Sequence, residues 1–240
     1  MRPFAPHFDS PPYRLSGVVY GALLNHQPEL AALGDAVHQP PYKAPPQAPV
    51  LALRPRNTLA ADGAVVMVPA DAEALALGAS LGIVIGRAIS HVDQAQALQA
   101  VAGYTIVNDL CVPHASHYRP AVRCMARDGF CIIGPAVLPA SAVPDPDALQ
   151  VLVRIDGQPA QCSSTGQRVR TVARLIADVS AFMTLQAGDL LLLGAAHPAP
   201  LVRAGQTANI TISGLGEQLS HYAHAVRAAA PSPQRTDAAA

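Results

Sequence analysis

The chain has 240 residues, of which 50% are hydrophobic, 13% charged and only 4% aromatic, with no Trp. That is material for one sizeable core, or at most two small ones. Its 16 basic and 16 acidic side chains cancel, which excludes the basic footprint of a nucleic-acid-binding domain and any acidic tail. The charges are also uneven in kind: Lys43 is the single lysine, and the glutamates are only Glu29, Glu73 and Glu217.

In chain order, residues 1–14 are Pro-rich without apolar periodicity and read as a disordered tail. Gly17–Leu24 is a buried strand candidate, and Gln27–Leu33 a short helix. Val50–Arg54 is the next strand, closed by Pro55 and the polar run Arg56-Asn57-Thr58. Strands follow at Ala64–Val68 and Leu81–Ile85, then a helix from Asp93 to Val101 with Asp93 as its N-cap. Tyr104–Val107, Gly129–Ile133 and Leu149–Ile155 continue the series. Asp156-Gly157 then reads as a hairpin tip, because Asp-Gly tolerates the positive φ of a type I′ turn. Val172, Leu175, Ile176, Val179, Phe182 and Met183 recur at helical spacing and predict a helix over 171–185. Asp189–Leu193 and Thr207–Ser213 close the set, and residues 227–240 read as a second disordered tail. Many short strands with a few inserted helices predict one mainly β (α+β) domain over 15–226 rather than βαβ winding.

Several chemistries are missing. There is no G-x-S-x-G elbow, no phosphate-binding G-x-x-x-x-G-K-[ST] loop and no H-E-x-x-H pair. Gly82 and Gly86 lie in a strand, where close packing explains them. The four cysteines form no C-x-x-C and read as reduced thiols. With no apolar run of roughly 20 residues and no leader-like start, the expectation is a soluble, cytoplasmic chain. Polar residues gather instead at strand ends, in Asn25–Glu29, Arg54–Thr58 and Asn108-Asp109 with His114, His117, Tyr118, Arg119, Arg127 and Asp128.

Taken in order, these stretches resemble the fumarylacetoacetate hydrolase family, and most closely its branch in homoprotocatechuate (4-hydroxyphenylacetate) breakdown. The matching segments are Ala22–His26, Pro41–Pro46, Arg54–Thr58, Gly82–Gly86, Gly103–Asp109, Tyr118–Pro120, Arg127–Phe130 and Gly188–Gly194. The set resembles the amino-terminal half of a bifunctional isomerase/decarboxylase built from two related halves. The resemblance implies a mixed β-sandwich or roll and chemistry on 2-oxo-heptenedioate-type acids. It also implies a divalent cation, Mg²⁺ or Mn²⁺, that stabilises the enol oxygen while a C–C bond breaks or a double bond moves. It would place His26 and Glu29 near the catalytic proton transfers, and Arg54, Arg56, Asn57 and Arg119 against the dicarboxylate.

The implied ligand set is two glutamates on one strand face plus the aspartate of the Asn-Asp motif. Here Gly78 and Ser80 occupy the glutamate positions, and no Glu-x-Glu exists anywhere in the chain. Asp109 alone remains, so the expectation is weak or absent metal binding. His114 and His117 with Asp109 could recruit a softer metal. Three further departures are His26-Gln27-Pro28-Glu29 where the family has its histidine-bearing stretch, Met125 where it has Lys, and Gly194-Ala195-Ala196 where it has Gly-Thr-Pro. Three functions remain open: a subunit of the isomerase/decarboxylase, a metal-deficient partner of a competent homologue, or a small-molecule binder without turnover. Either of the first two implies a homo-oligomer or a hetero-oligomer with a carboxy-terminal-type homologue.

Overall fold

The computed structural model describes residues 9–10, 13–114 and 121–224. His117, Tyr118, Arg119 and the expected tail at 227–240 lie outside these. Of the expected amino-terminal tail, Asp9–Ser10 and Tyr13–Arg14 are described, and they pair as a small antiparallel ribbon.

Two sheets carry the fold. The strands of the larger are β1 (Val19–Leu23), β2 (Val50–Arg54), β3 (Leu59–Ala61), β6 (Ala79–Ile85), β7 (Val101–Asp109), β8 (Cys131–Ile133), β9 (Leu138–Pro139) and β12 (Leu190–Leu192). They run in the spatial order β2-β1-β12-β6-β7-β8-β3, with β9 also on β7. The smaller sheet orders β11 (Gln158–Ser164), β10 (Gln150–Ile155), β14 (Thr207–Ile212), β15 (Gly216–His224) and β4 (Val65–Val68). A minor pair joins β5 (Leu75–Ala76) to β13 (Leu201–Val202). The connected strands are mostly antiparallel, as a mainly β chain without βαβ winding requires.

All seven residues of β6 are buried, so this strand has core on both faces. Leu81, Ile83 and Ile85 join Ile106, Ile132, Val153, Ile210 and Ile212 in the layer between the sheets. Val84 points the other way, with Val19, Val107, Leu190 and Leu192. Period-two alternation therefore assigns Gly78, Ser80, Gly82 and Val84 to one face of β6. The glycine at 82 is there for packing: a Cβ would stand 2.8 Å from Val107 Cγ2 and 2.9 Å from Thr105 Cγ2.

Val172–Ser180 forms helix α4, buried through Val172, Leu175, Ile176 and Val179, after α1 (Gln27–Ala32), α2 (Gln94–Ala97) and α3 (Val122–Met125). Thr171 caps α4 by accepting the Arg174 N–H at 3.3 Å, and Asp93 caps α2 by accepting that of Gln96 at 3.0 Å. The apolar pattern overstates α4. The helix stops at Ser180 because Leu185 is drawn into an antiparallel bridge with Ile89, and Phe182 is left 60% exposed. The Asp156-Gly157 tip is confirmed, with φ of 50° and 78° and Ile155 paired to Gln158. No helix among the described residues is long and apolar enough to cross a membrane.

Candidate active site

The Asn-Asp pair at the end of β7 divides between the two faces of the sheet. Asn108 is fully buried in the inter-sheet layer, where its side-chain NH₂ donates to Tyr222 Oη at 3.0 Å and its carbonyl accepts the Gly78 N–H at 3.2 Å. Asp109 turns to the opposite face. There β1 presents Gly21, whose missing side chain lets the carboxylate approach: a Cβ would lie 3.3 Å from Oδ2.

β2 lies beyond β1, with Arg54 in register with Val19. Arg54 reaches back over β1 and clamps Asp109 with two parallel bonds, Nε to Oδ1 and Nη2 to Oδ2, the second at 2.6 Å. The Arg54 side chain is 1% exposed and that of Asp109 12%. A bidentate fork of this kind is among the strongest charge-assisted contacts a carboxylate makes. Arg54 Nη1 is buried without an acceptor.

Two cavities flank this pair and share Leu23 and Met125 as a common wall. The larger, about 760 Å³, is lined by apolar groups of β1, β2 and α3, with Arg54 and Arg56 as its charged members. The smaller, about 300 Å³, contains Asp109, Glu29, His114, Cys111 and His197, together with Ala195 and Ala196. Chemistry rather than size marks the smaller one as the candidate active site, since it alone gathers a carboxylate pair with imidazoles.

Each wall of that cavity has a local cause. Ser80 Oγ accepts the Gly194 N–H at 3.1 Å and donates to Leu81 O at 3.2 Å, so the 194–197 loop is tied to β6. Gly194 adopts φ +100°, and a Cβ there would meet Ala22 O at 2.8 Å, which excludes other residues at that corner. Leu24, also lining the cavity, is a non-glycine at φ +54°; it turns the chain from β1 into α1 and brings Glu29 to the rim. Backbone strain of this kind tends to persist where the surroundings fix it, commonly at functional sites.

His26 and Arg168 lie behind the wall. They face each other across an antiparallel bridge and are 3% and 4% exposed. His26 Nδ1 accepts the backbone N–H of His197 at 3.0 Å. Burial lowers the imidazole pKa to about 4, with the Arg168 charge adding to the effect. Burial raises the Glu29 carboxyl, opposed by His197 and Arg168. The Cys111 thiol is pushed up to about 11 by burial and then by Asp109, so it is not a thiolate nucleophile at neutral pH.

The structure thus brings Asp109, Glu29 and Arg54 together at one place, with His26 just behind. Arg56 is exposed and lines the larger cavity. Asn57 is exposed and donates to Asp128 Oδ1 at 2.8 Å, bracing the loop after α3. Among the described residues, no group of three His, Cys, Asp or Glu side chains could hold a metal ion. Sequence reasoning missed Arg168 and His197. Their only sequence signal is a cation and an imidazole in polar loops; burial separates Arg168 from surface residues, while His197 is itself exposed and is marked only by its place on the cavity lining.

The arrangement defines a β-rich scaffold with an acid–imidazole cavity at its strand ends. The chain belongs to the fumarylacetoacetate hydrolase family: the family model described as "Fumarylacetoacetate (FAA) hydrolase C-terminal" matches residues 18–221. It is similar to the 4-hydroxyphenylacetate degradation bifunctional isomerase/decarboxylase of Escherichia coli, at 34% identity over 200 residues, which is 83% of this chain and 46% of that protein. The chain therefore spans under half the length of this relative. Among solved structures it is similar to 5-carboxymethyl-2-hydroxymuconate delta-isomerase from Mycobacterium smegmatis, with a TM-score of 0.73, 27% identity, and coverage of 89% of this chain and 81% of that one. A fumarylpyruvate hydrolase from Pseudomonas aeruginosa, solved with Mn²⁺ and pyruvate, shares the fold at a TM-score of 0.75 and 22% identity, covering 89% and 91% of the two chains.

Proposed function

We propose that this chain is a subunit of an isomerase/decarboxylase of 4-hydroxyphenylacetate catabolism, and that it works beside a homologue that holds the catalytic cation. Its small cavity would take a 2-oxo-heptenedioate-type dicarboxylic acid. The names of the relatives support the pathway and the substrate class. One observation carries the division of labour: both oxygens of Asp109 are engaged by Arg54.

A hard divalent cation needs several oxygen ligands, some of them anionic. The residues present do not fit one. Asp109 is already neutralised by a guanidinium, position 78 has no side chain, and the Ser80 hydroxyl is taken up by Gly194 and Leu81. What this chain's own groups can do is bind and move protons. Glu29 at the rim is placed to accept or return a proton, and His26 holds the His197 loop through Nδ1. The same observation favours a second reading, a non-catalytic partner that stabilises a competent homologue.

Turnover separates these from a self-sufficient enzyme. The purified chain should give background rates alone with Mg²⁺ or Mn²⁺. Mixed with a homologue that carries Glu-x-Glu and the aspartate, it should co-elute and raise that homologue's kcat or its Tm. Full turnover by this chain alone, abolished by a chelator, would refute the proposal.

A further inference from the structure

We propose that the larger cavity is a second ligand site, built for an organic acid that carries one carboxylate on an apolar body. This goes beyond the function proposed above: its argument depends neither on the small cavity nor on turnover.

The strand register makes the cavity floor apolar. β2 pairs with β1 so that Arg54, Ala52 and Val50 stand opposite Val19, Gly21 and Leu23, and the two-residue period sets all six on one face. Gly21 adds no side chain, so Val19, Leu23, Val50 and Ala52 form the floor. Val122 and Met125 of α3 form the wall. This four-residue helix is held from outside the cavity. Asp71 Oδ2 accepts from Arg123 Nη2 at 2.9 Å and from Arg127 Nη2 at 3.0 Å, and Asn57 Nδ2 donates to Ala126 O at 3.3 Å. Floor and wall are therefore set without a ligand, and the space of about 760 Å³ is preformed. That volume lies in the ordinary range of small-molecule sites.

The charges decide the ligand. Among the described residues no acidic side chain lines this cavity, and its only polar side chains are those of Arg54 and Arg56. The charge of Arg54 is met by Asp109. That of Arg56 is not: its exposed side chain makes no hydrogen bond or ion pair among the described residues. Its position is fixed by backbone. Pro55 follows β2, and its carbonyl accepts both the N–H and the hydroxyl of Thr58, at 2.9 and 2.7 Å. The single turn Arg56–Thr58 that results holds Arg56 at the end of the floor.

One unmet guanidinium beside an apolar floor matches one carboxylate. A dicarboxylate would leave its second charge among apolar groups without a partner, which desolvation penalises. Val18, Leu53 and Val122 are exposed around the same space, an apolar cluster of the kind that marks a ligand groove or an interface. A second copy of this chain is the poorer occupant, because a two-fold contact sets the patch against itself and its unmet charges are both cationic.

The test is an NMR titration of the methyl-labelled full chain with 4-phenylbutyrate, beside 4-phenylbutanol and heptanedioate as the neutral and dianionic probes. The acid should saturate one site and shift the methyls of Val19, Val50 and Val122, which do not line the small cavity. The alcohol and the dianion should each bind about tenfold more weakly, and Arg56→Gln should weaken the acid by about the same factor. Val122→Trp, at an exposed position that loads no core, should fill the cavity and abolish the shifts. Absence of saturable shifts, or shifts centred on the Ala195 and Ala196 methyls of the small cavity, would overturn the proposal. So would an affinity unmoved by Arg56→Gln or by Val122→Trp in the folded variants. Sedimentation velocity on the same samples reads the remaining occupant: a dimer that excludes the acid and is dissociated by Val122→Trp also overturns it. Because the readout is binding at the larger cavity, it can fail while the small cavity proves catalytic, or hold in a chain that never turns over.

Discussion

Asp109→Asn should lower the unfolding free energy of this chain by about 3–5 kcal/mol, because it leaves the guanidinium of Arg54 buried and uncompensated. The side chain of Arg54 is 1% exposed and cannot turn to water without opening the β1–β2 face. Arg54→Met should be milder, since the 12% exposed carboxylate of Asp109 can recruit water from the cavity it lines. The double variant should cost less than the two singles added together, the mark of a direct pair. Chemical denaturation at neutral pH reads all three. A loss below about 1 kcal/mol for Asp109→Asn would place the pair in the class of surface bridges and remove its structural role.

Gly78→Ala should be comparably damaging. A Cβ at residue 78 would stand 2.1 Å from the carbonyl oxygen of Asp109 and 2.8 Å from its carbonyl carbon. The obstacle is backbone, held by the Asp109 N–H bond to Gly78 O at 2.9 Å, so no rotamer change relieves it. Overpacking of this severity costs about 3 kcal/mol or more. The consequence for function is larger than the stability figure. Writing the family's glutamates back as Gly78→Glu with Ser80→Glu should not create a cation site. It should push β6 from the end of β7 and release the Gly194 loop that Ser80 holds. A well-folded double variant that binds Mn²⁺ at one equivalent would show that only two side chains separate this chain from its metal-bearing relatives.

Much of the fold could be read from residue order because apolar runs bounded by Gly, Pro, Asp or Asn mark strands buried on a face. Val50–Arg54 and Leu190–Leu192 lie within their predicted spans, and Asp156-Gly157 turns as expected. The missed strands lack that signal. Gln158–Ser164 is an edge strand, mostly solvent-facing and polar. Gly216–His224 buries Gln218 and Ser220, whose Nε2 and Oγ donate to Ile106 O and Ile132 O and to Ala208 O, so its inward face does not read as apolar. Leu59–Ala61 is three residues long, too short for any period to show.

Of the candidate site, only the parts that are local in sequence could be read in the same way. The Asn108-Asp109 pair and the lack of any Glu-x-Glu are local facts of the residue order. That Arg54 lies on Asp109 is not local. The two residues are separated by 55 positions and meet only because β2 pairs with β1 and β1 presents a glycine beneath the carboxylate. Arg168 was invisible for a related reason: in Gln167-Arg168-Val169-Arg170 it reads as one more loop cation, and only its neighbours in the fold bury it.

The most direct measurement is a Mn²⁺ titration of the purified wild-type chain followed by electron paramagnetic resonance. With Arg54 seated on Asp109, the six-line signal of free Mn²⁺ should persist in full at every ratio of metal to protein. Loss of that signal at one equivalent, restored by Asp109→Asn, would show a carboxylate free for a cation and contradict the account.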